Sequence, residues 1–365
     1  VEVKMKAVRA LWFDKLVAPA RLRLFVWLSL VTQVLIVVTG GAVRLTGSGL
    51  GCPTWPKCTE ESLVSTSEMG FHGLIEFGNR VLTFVLLIVA LLTFIVVVRI
   101  STSTSKIGKL SIGFFSGAIL LVFGLVAHEV LGLVVASILV FSLSFGLMVF
   151  FGALIIRVAR GESRHGLVVP AFLLGVGIIL QAVVGGITVL TGLNSWIVGV
   201  HFVISMVLIA IASLLVWRAL PKPSGEIASM TSALAWPITV FGSLTILVGV
   251  VVTGAGPHAG DAATPRNGFS LEIWQHFHSY PGYGLLALIL SAGYGQARVS
   301  GLRFRPLQMR IILILLVVAV LQALIGVIQA RTGVPALLVG FHMLGAAVLA
   351  SLLAFQQFSA RKITR

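Results

Sequence analysis

Gln181–His201 reads QAVVGGITVLTGLNSWIVGVH, and Gln322–His342 reads QALIGVIQARTGVPALLVGFH. The two stretches align without a gap at an offset of 141 residues, sharing Gln181/Gln322, Gly185/Gly326, Thr191-Gly192/Thr332-Gly333, Gly199/Gly340 and His201/His342. Each copy ends one apolar run, turns at Thr-Gly and begins a second apolar run that carries a histidine. An ionisable side chain inside hydrocarbon is costly and is kept for a purpose. Its repetition at a fixed period points to two equivalent units, each with its own site.

Composition decides what surrounds these units. Of 365 residues, 58% are hydrophobic and 10% charged. Runs long enough to cross ~30 Å of hydrocarbon recur along the chain. They are read at 22–43, 72–98, 110–127, 130–156, 168–190, 196–217, 233–253, 272–297, 311–330 and 336–358. The expected fold is therefore an all-α polytopic membrane protein with about ten transmembrane helices. The first span follows a charged segment without a small-residue cleavage pattern, so it is expected to be retained.

The net charge of +15 does not indicate nucleic acid, because most of the 26 basic residues fall on alternate connections. Lys4 to Arg23 precede the first span, Arg99 to Lys109 follow the second, and Arg157 to Arg164 follow the fourth. Arg218 and Lys222 follow the sixth, Arg298 to Arg310 the eighth, and Arg361 to Arg365 the last. This distribution predicts cytoplasmic termini in a cell membrane. Every histidine but His165 then falls toward the outer face, as do both cysteines, so the chemistry is expected at the outer helix ends.

The repeat extends to VVTGGAVR at Val37–Arg44 against VVTGAGPH at Val251–His258, and to Glu76-Phe-Gly-Asn79 against Gln275-His-Phe-His278. Spans one, two, five and six match seven to ten. Both halves start on the same side, so two parallel four-helix bundles about a pseudo-twofold along the membrane normal are expected. Residues 1–21 form an N-terminal tail, and 22–218 an N-terminal half with an inserted two-helix hairpin at about 108–166. A cytoplasmic linker occupies 219–231, a C-terminal half 232–358, and a tail 359–365.

In the C-terminal half, His278 and His342 lie near the outer ends of facing spans. His276 competes for the role, but two residues on a helix rotate by about 200°, and the repeat register selects His278. Two opposed imidazoles are how a helical bundle holds a haem iron; the alternative is hydrogen bonding between helices. In the N-terminal half His201 faces Asn79 at the repeat position. His72, Glu76 and Asn79 share one helical face. Glu76 is either an ion-pair partner of Arg80 or a catalytic acid, and His72 is a candidate ligand or an outer polar contact. Cys52 and Cys58, in the outer loop CPTWPKC, are expected to form a disulfide that is either a loop staple or a redox pair. His128-Glu129 reads as a polar turn of the insert or an accessory contact.

Together TGSGLGCPTWPKC after span one, EFGNR in span two, QAVVGGITVLTGL with VGVHF, and TGAGPHAGD after span seven resemble haem A synthase, in its actinobacterial style. The resemblance implies an enzyme that oxidises a ring methyl of haem O to the formyl group of haem A for cytochrome c oxidase. It implies substrate haem O in the N-terminal half and haem b in the C-terminal half. Ligand positions carry over to His201, His278 and His342, the acid to Glu76, and the loop cysteines to Cys52 and Cys58. Partners would be haem O and haem A, with haem O synthase, oxidase assembly factors, an electron partner and a second copy of the chain as candidates. Asn79 departs from the family, which places a histidine three residues after its acid; the inserted hairpin departs too. A dihaem electron carrier or quinol-linked cytochrome is the alternative, and a parallel-repeat transporter a third reading.

Overall fold

Inside hydrocarbon each backbone N–H and C=O must be paired within its own segment, so long apolar runs coil into helices. The computed structural model describes residues 14–131, 134–161, 165–221, 227–300 and 307–360. Ten long helices run through them: α1 (Leu22–Leu45), α2 (Gly70–Arg99), α3 (Thr104–Leu131), α4 (Val134–Arg160), α5 (His165–Leu190), α6 (Ser195–Ala219), α7 (Ser229–Ala255), α8 (Leu271–Ser300), α9 (Leu307–Arg331) and α10 (Ala336–Ser359). The all-helical membrane fold is as expected. Among the described residues eight of the ten are long and apolar enough to cross a membrane; α3 and α8 are not in that set. Glu272, Gln275, His276 and His278 dilute the start of α8. The side chains of 125–137, including His128 and Glu129, lie outside the described residues.

The described chain divides into two compact units. One comprises the segment ending at Phe25 together with Leu91–Leu173; the other comprises Val26–Ala90 and the residues from Leu174 onward. The first unit holds α3 and α4 with one end of α2 and of α5. There Phe172 of α5 packs against Phe94 of α2 and Phe114 of α3, with ring centres 5.9 and 5.1 Å apart.

In the second unit, α7 touches α8, α8 touches α9, α9 touches α10, and α10 returns to α7, which closes a four-helix ring. Its apolar core, built on Ile238, Leu285, Ile289, Ile312, Leu315 and Leu353, occupies the end away from the Thr-Gly turn. The other end holds the histidines. A smaller cluster of Leu86, Ala90 and Ile178, with Ile36 and Leu87 against it, joins α1, α2 and α5.

The repeat seen in sequence is repeated in contacts. Gln181 Nε2 donates to the His201 carbonyl at 2.9 Å, and Gln322 Nε2 to the His342 carbonyl at 2.8 Å. Thr191 and Thr332 hydroxyls bond back to Ile187 and Ile328 at 2.7 Å each. After them Gly192 and Gly333 adopt φ of 60° and 75°, and Leu193 and Val334 follow at 60° and 58°. The Leu193 amide reaches the Thr188 carbonyl at 2.8 Å and the Val334 amide the Gln329 carbonyl at 2.9 Å. These bonds satisfy carbonyls that would otherwise be orphaned at the helix end.

A left-handed β-branched residue is strained by about 1–3 kcal/mol. Val334→Gly is therefore expected to raise stability by about 1 kcal/mol, read as a higher Tm. Leu193→Gly should lower it, since Leu193 is only 7% exposed and packs on Gly49 and Gly260; losing that burial costs about 1.5–3 kcal/mol. Equal Tm shifts for both would show that burial does not separate the two turns.

Candidate functional site

In the C-terminal bundle His278 of α8 and His342 of α10 face each other, ring centres 6.1 Å apart and planes inclined at 72°. Glycines back both rings. A Cβ on Gly249 of α7 would lie 2.9 Å from His278 Cε1, and one on Gly326 of α9 would lie 3.7 Å from His342 Cε1. Both Nδ1 atoms are buried without a hydrogen-bond partner, at a cost of about 1–3 kcal/mol each. His276 is exposed on the other side of α8, as the helical rotation predicts.

The same environment recurs around His201 of α6. Gly185 of α5 backs its ring, where a Cβ would lie 3.3 Å from Cε1, and its Nδ1 is likewise buried and unpartnered. Gln181 reaches from α5 to the His201 carbonyl and to Ser205 Oγ at 2.5 Å. No second imidazole stands at the repeat position, and the Asn79 carbonyl oxygen accepts from Thr39 Oγ1 of α1 at 2.8 Å.

One face of α2 meets α1 and the loop that follows it. His72 Nδ1 is 2.8 Å from Ser48 Oγ. It lines a cavity of about 640 Å³ with Gly51, Pro53, Met69 and Asp261. Glu76 is buried, and both oxygens are engaged: the Cys52 amide donates to Oε2 at 2.6 Å, and Arg80 to Oε1 at 2.6 Å. Arg80 also donates to the carbonyls of Cys52, Thr54 and Lys57 at 2.9, 3.0 and 3.0 Å. Of the two readings of Glu76, the geometry displays the ion pair. Cys52 and Cys58 form the expected disulfide, and both are fully buried.

The rings fit a haem iron. Histidine imidazole is a common haem ligand, and two rings opposed with centres 6.1 Å apart are a donor set that would suit one iron between them. The glycines leave His278 and His342 free of β-carbons at their backs. His201 offers one such ligand, and the residue at the repeat position of His278 is Asn79, bonded to Thr39.

Sequence reasoning missed two parts of this site. The three-carbonyl grip of Arg80 was visible only as a Glu-to-Arg spacing of four. The position of Trp55 had no signal: its indole sits directly against Gly186 of α5, the neighbour of Gly185.

Residues 23–139 match the family model COX15-CtaA, described as cytochrome oxidase assembly protein. The matched stretch includes Cys52, Cys58, His72, Glu76 and Asn79, and runs through α3 into α4; it ends before His201. The resemblance read from the motifs is thus shown over the first part of the chain. No curated protein matches the chain.

Proposed function

We propose that this multi-pass membrane protein serves cytochrome oxidase assembly as a haem A synthase, oxidising a ring methyl of haem O to a formyl group. The observation that carries the reading is the opposed His278–His342 pair, with ring centres 6.1 Å apart and the Nδ1 of each ring buried. The family match over 23–139 supports it from the other half.

His278 and His342 hold a b-type haem, with Gln322 fixing the His342 backbone at the start of α10. When bound, that haem supplies one-electron transfer. His201 binds the substrate haem O in the N-terminal bundle, on a backbone fixed by Gln181. With Asn79 tied to Thr39, no second strong ligand closes the far side, which leaves that side open to chemistry. Glu76 and Arg80 hold the outer loop over this bundle and act as positioning residues. His72 stands at the outer rim beside the cavity. Both termini lie in the cytoplasm and the sites toward the outer face, following the basic connections.

The test is expression in a host that makes haem O but no haem A, followed by pigment extraction. Haem A should accumulate. Purified protein that carries b-type haem while haem O stays unconverted would instead establish the electron-carrier alternative. Against that alternative stands the asymmetry of the halves, since the N-terminal bundle lacks an opposed pair.

His201→Ala is expected to eliminate haem A formation while leaving the b-type spectrum of the C-terminal bundle intact. Loss of both signals together would show that the bundles are not separate sites. His72→Ala should give only a partial loss of conversion, because its Nδ1 is engaged with Ser48 at the rim.

A further inference from the structure

The two bundles are built from one repeat, so a feature present in one and missing from the other marks what one alone must do. At the end of α5, Gly185 receives the His201 ring and Gly186, about 100° further round the helix, receives the Trp55 indole. In the repeat the position of Gly186 is held by Val327, which is 45% exposed. The C-terminal bundle leaves open the place that the N-terminal bundle covers with an aromatic ring.

The loop that carries Trp55 is tied down at several points. The Cys52–Cys58 disulfide closes it. Glu76 and Arg80 of α2 take the Cys52 amide and the carbonyls of Cys52, Thr54 and Lys57, and Thr54 Oγ1 donates to the Lys57 carbonyl at 2.9 Å. Trp55 then bridges from α2 to α5. A loop staple alone needs no indole on a bare helix face one residue from the glycine that meets a histidine.

We propose that Trp55 is the lid of the N-terminal site, an aromatic wall beside His201 that positions the flat substrate macrocycle. The disulfide and the Glu76–Arg80 pair exist to hold it there. The inference rests on the haem reading of His201 and names a positioning residue for that site.

The experiment titrates haem O into the full chain purified in detergent, with the b-type haem of His278 and His342 in place as an internal control of folding. Trp55→Ala should weaken haem O binding about tenfold and lower conversion with it, leaving the b-type spectrum unchanged. Trp55→Phe, which keeps an aromatic face, should restore most of the affinity. Gly186→Val, the residue of the other half, should displace the indole and reproduce the loss. Combined with Trp55→Ala it should add nothing, since both remove the same contact. Wild-type binding in Trp55→Ala, or losses that add in the double variant, would overturn the lid while leaving the haem reading standing. A wild-type chain that binds no haem at all would overturn both.

Discussion

If the proposed b-type haem is held as inferred, His278→Ala or His342→Ala should abolish the low-spin b-type spectrum of the purified chain, and His276→Ala should leave it in place. The expectation follows from geometry at three points. The rings of His278 and His342 are 6.1 Å apart, each is backed by a glycine, and each keeps a buried nitrogen with no partner in the protein. His276 is exposed, with its backbone carbonyl accepting from Ser279 Oγ at 2.8 Å. Each ring would supply one ligand to the haem, so removing either would change its spin state and retention, an effect much larger than a change in stability. Survival of the spectrum in either variant, with its loss in His276→Ala, would move the ligand by two residues and break the repeat register. Gly249→Leu offers an independent check: a side chain there would press on the His278 ring and should weaken haem retention without removing a ligand.

Glu76→Ala and Arg80→Ala should each remove haem A formation, to similar extents. The carboxylate of Glu76 is held by the Cys52 amide and by Arg80, and their side chains are only 7% and 18% exposed. Removing one partner of a buried pair leaves the other charge uncompensated, at a cost of about 3–5 kcal/mol, and frees the loop that carries Trp55. Glu76→Gln keeps one oxygen, enough for either the Cys52 amide or Arg80 but not for both, and removes the charge without removing the side chain, so conversion should fall only partly. The b-type spectrum should survive in all three variants. A different pattern, with Glu76→Gln as damaging as Glu76→Ala and Arg80→Ala nearly harmless, would make Glu76 a proton-handling acid instead of an anchor.

How much of this was legible beforehand differs from residue to residue. The helices, the repeat and the three histidines were written in one-dimensional patterns: charge-free runs, a gapless offset, and imidazoles at matching positions. Choosing His278 over His276 needed only the helical rotation and the repeat register. Glu76 was legible as a residue but not as a role, since a spacing of four to Arg80 is compatible with an ion pair or a free acid. Only the path of the loop after α1 shows that Cys52 comes back to donate to it. The expected halves at 22–218 and 232–358 describe the repeat. The compact units divide α2 between Ala90 and Leu91 and α5 between Leu173 and Leu174, because the packing of α3 and α4 involves one end of those helices.

The sequence by itself determined that this chain is an all-helical membrane protein with a repeat that carries histidines at matching places. Those are properties of local hydropathy and periodicity, which act residue by residue along the chain. The tertiary structure alone decided which other groups meet: Asn79 with Thr39, Glu76 with Cys52, and Trp55 with Gly186. Those pairings join segments far apart in the chain, or loops whose course no period describes, and they form only where helix packing and a closed loop bring small residues and rings to the same place.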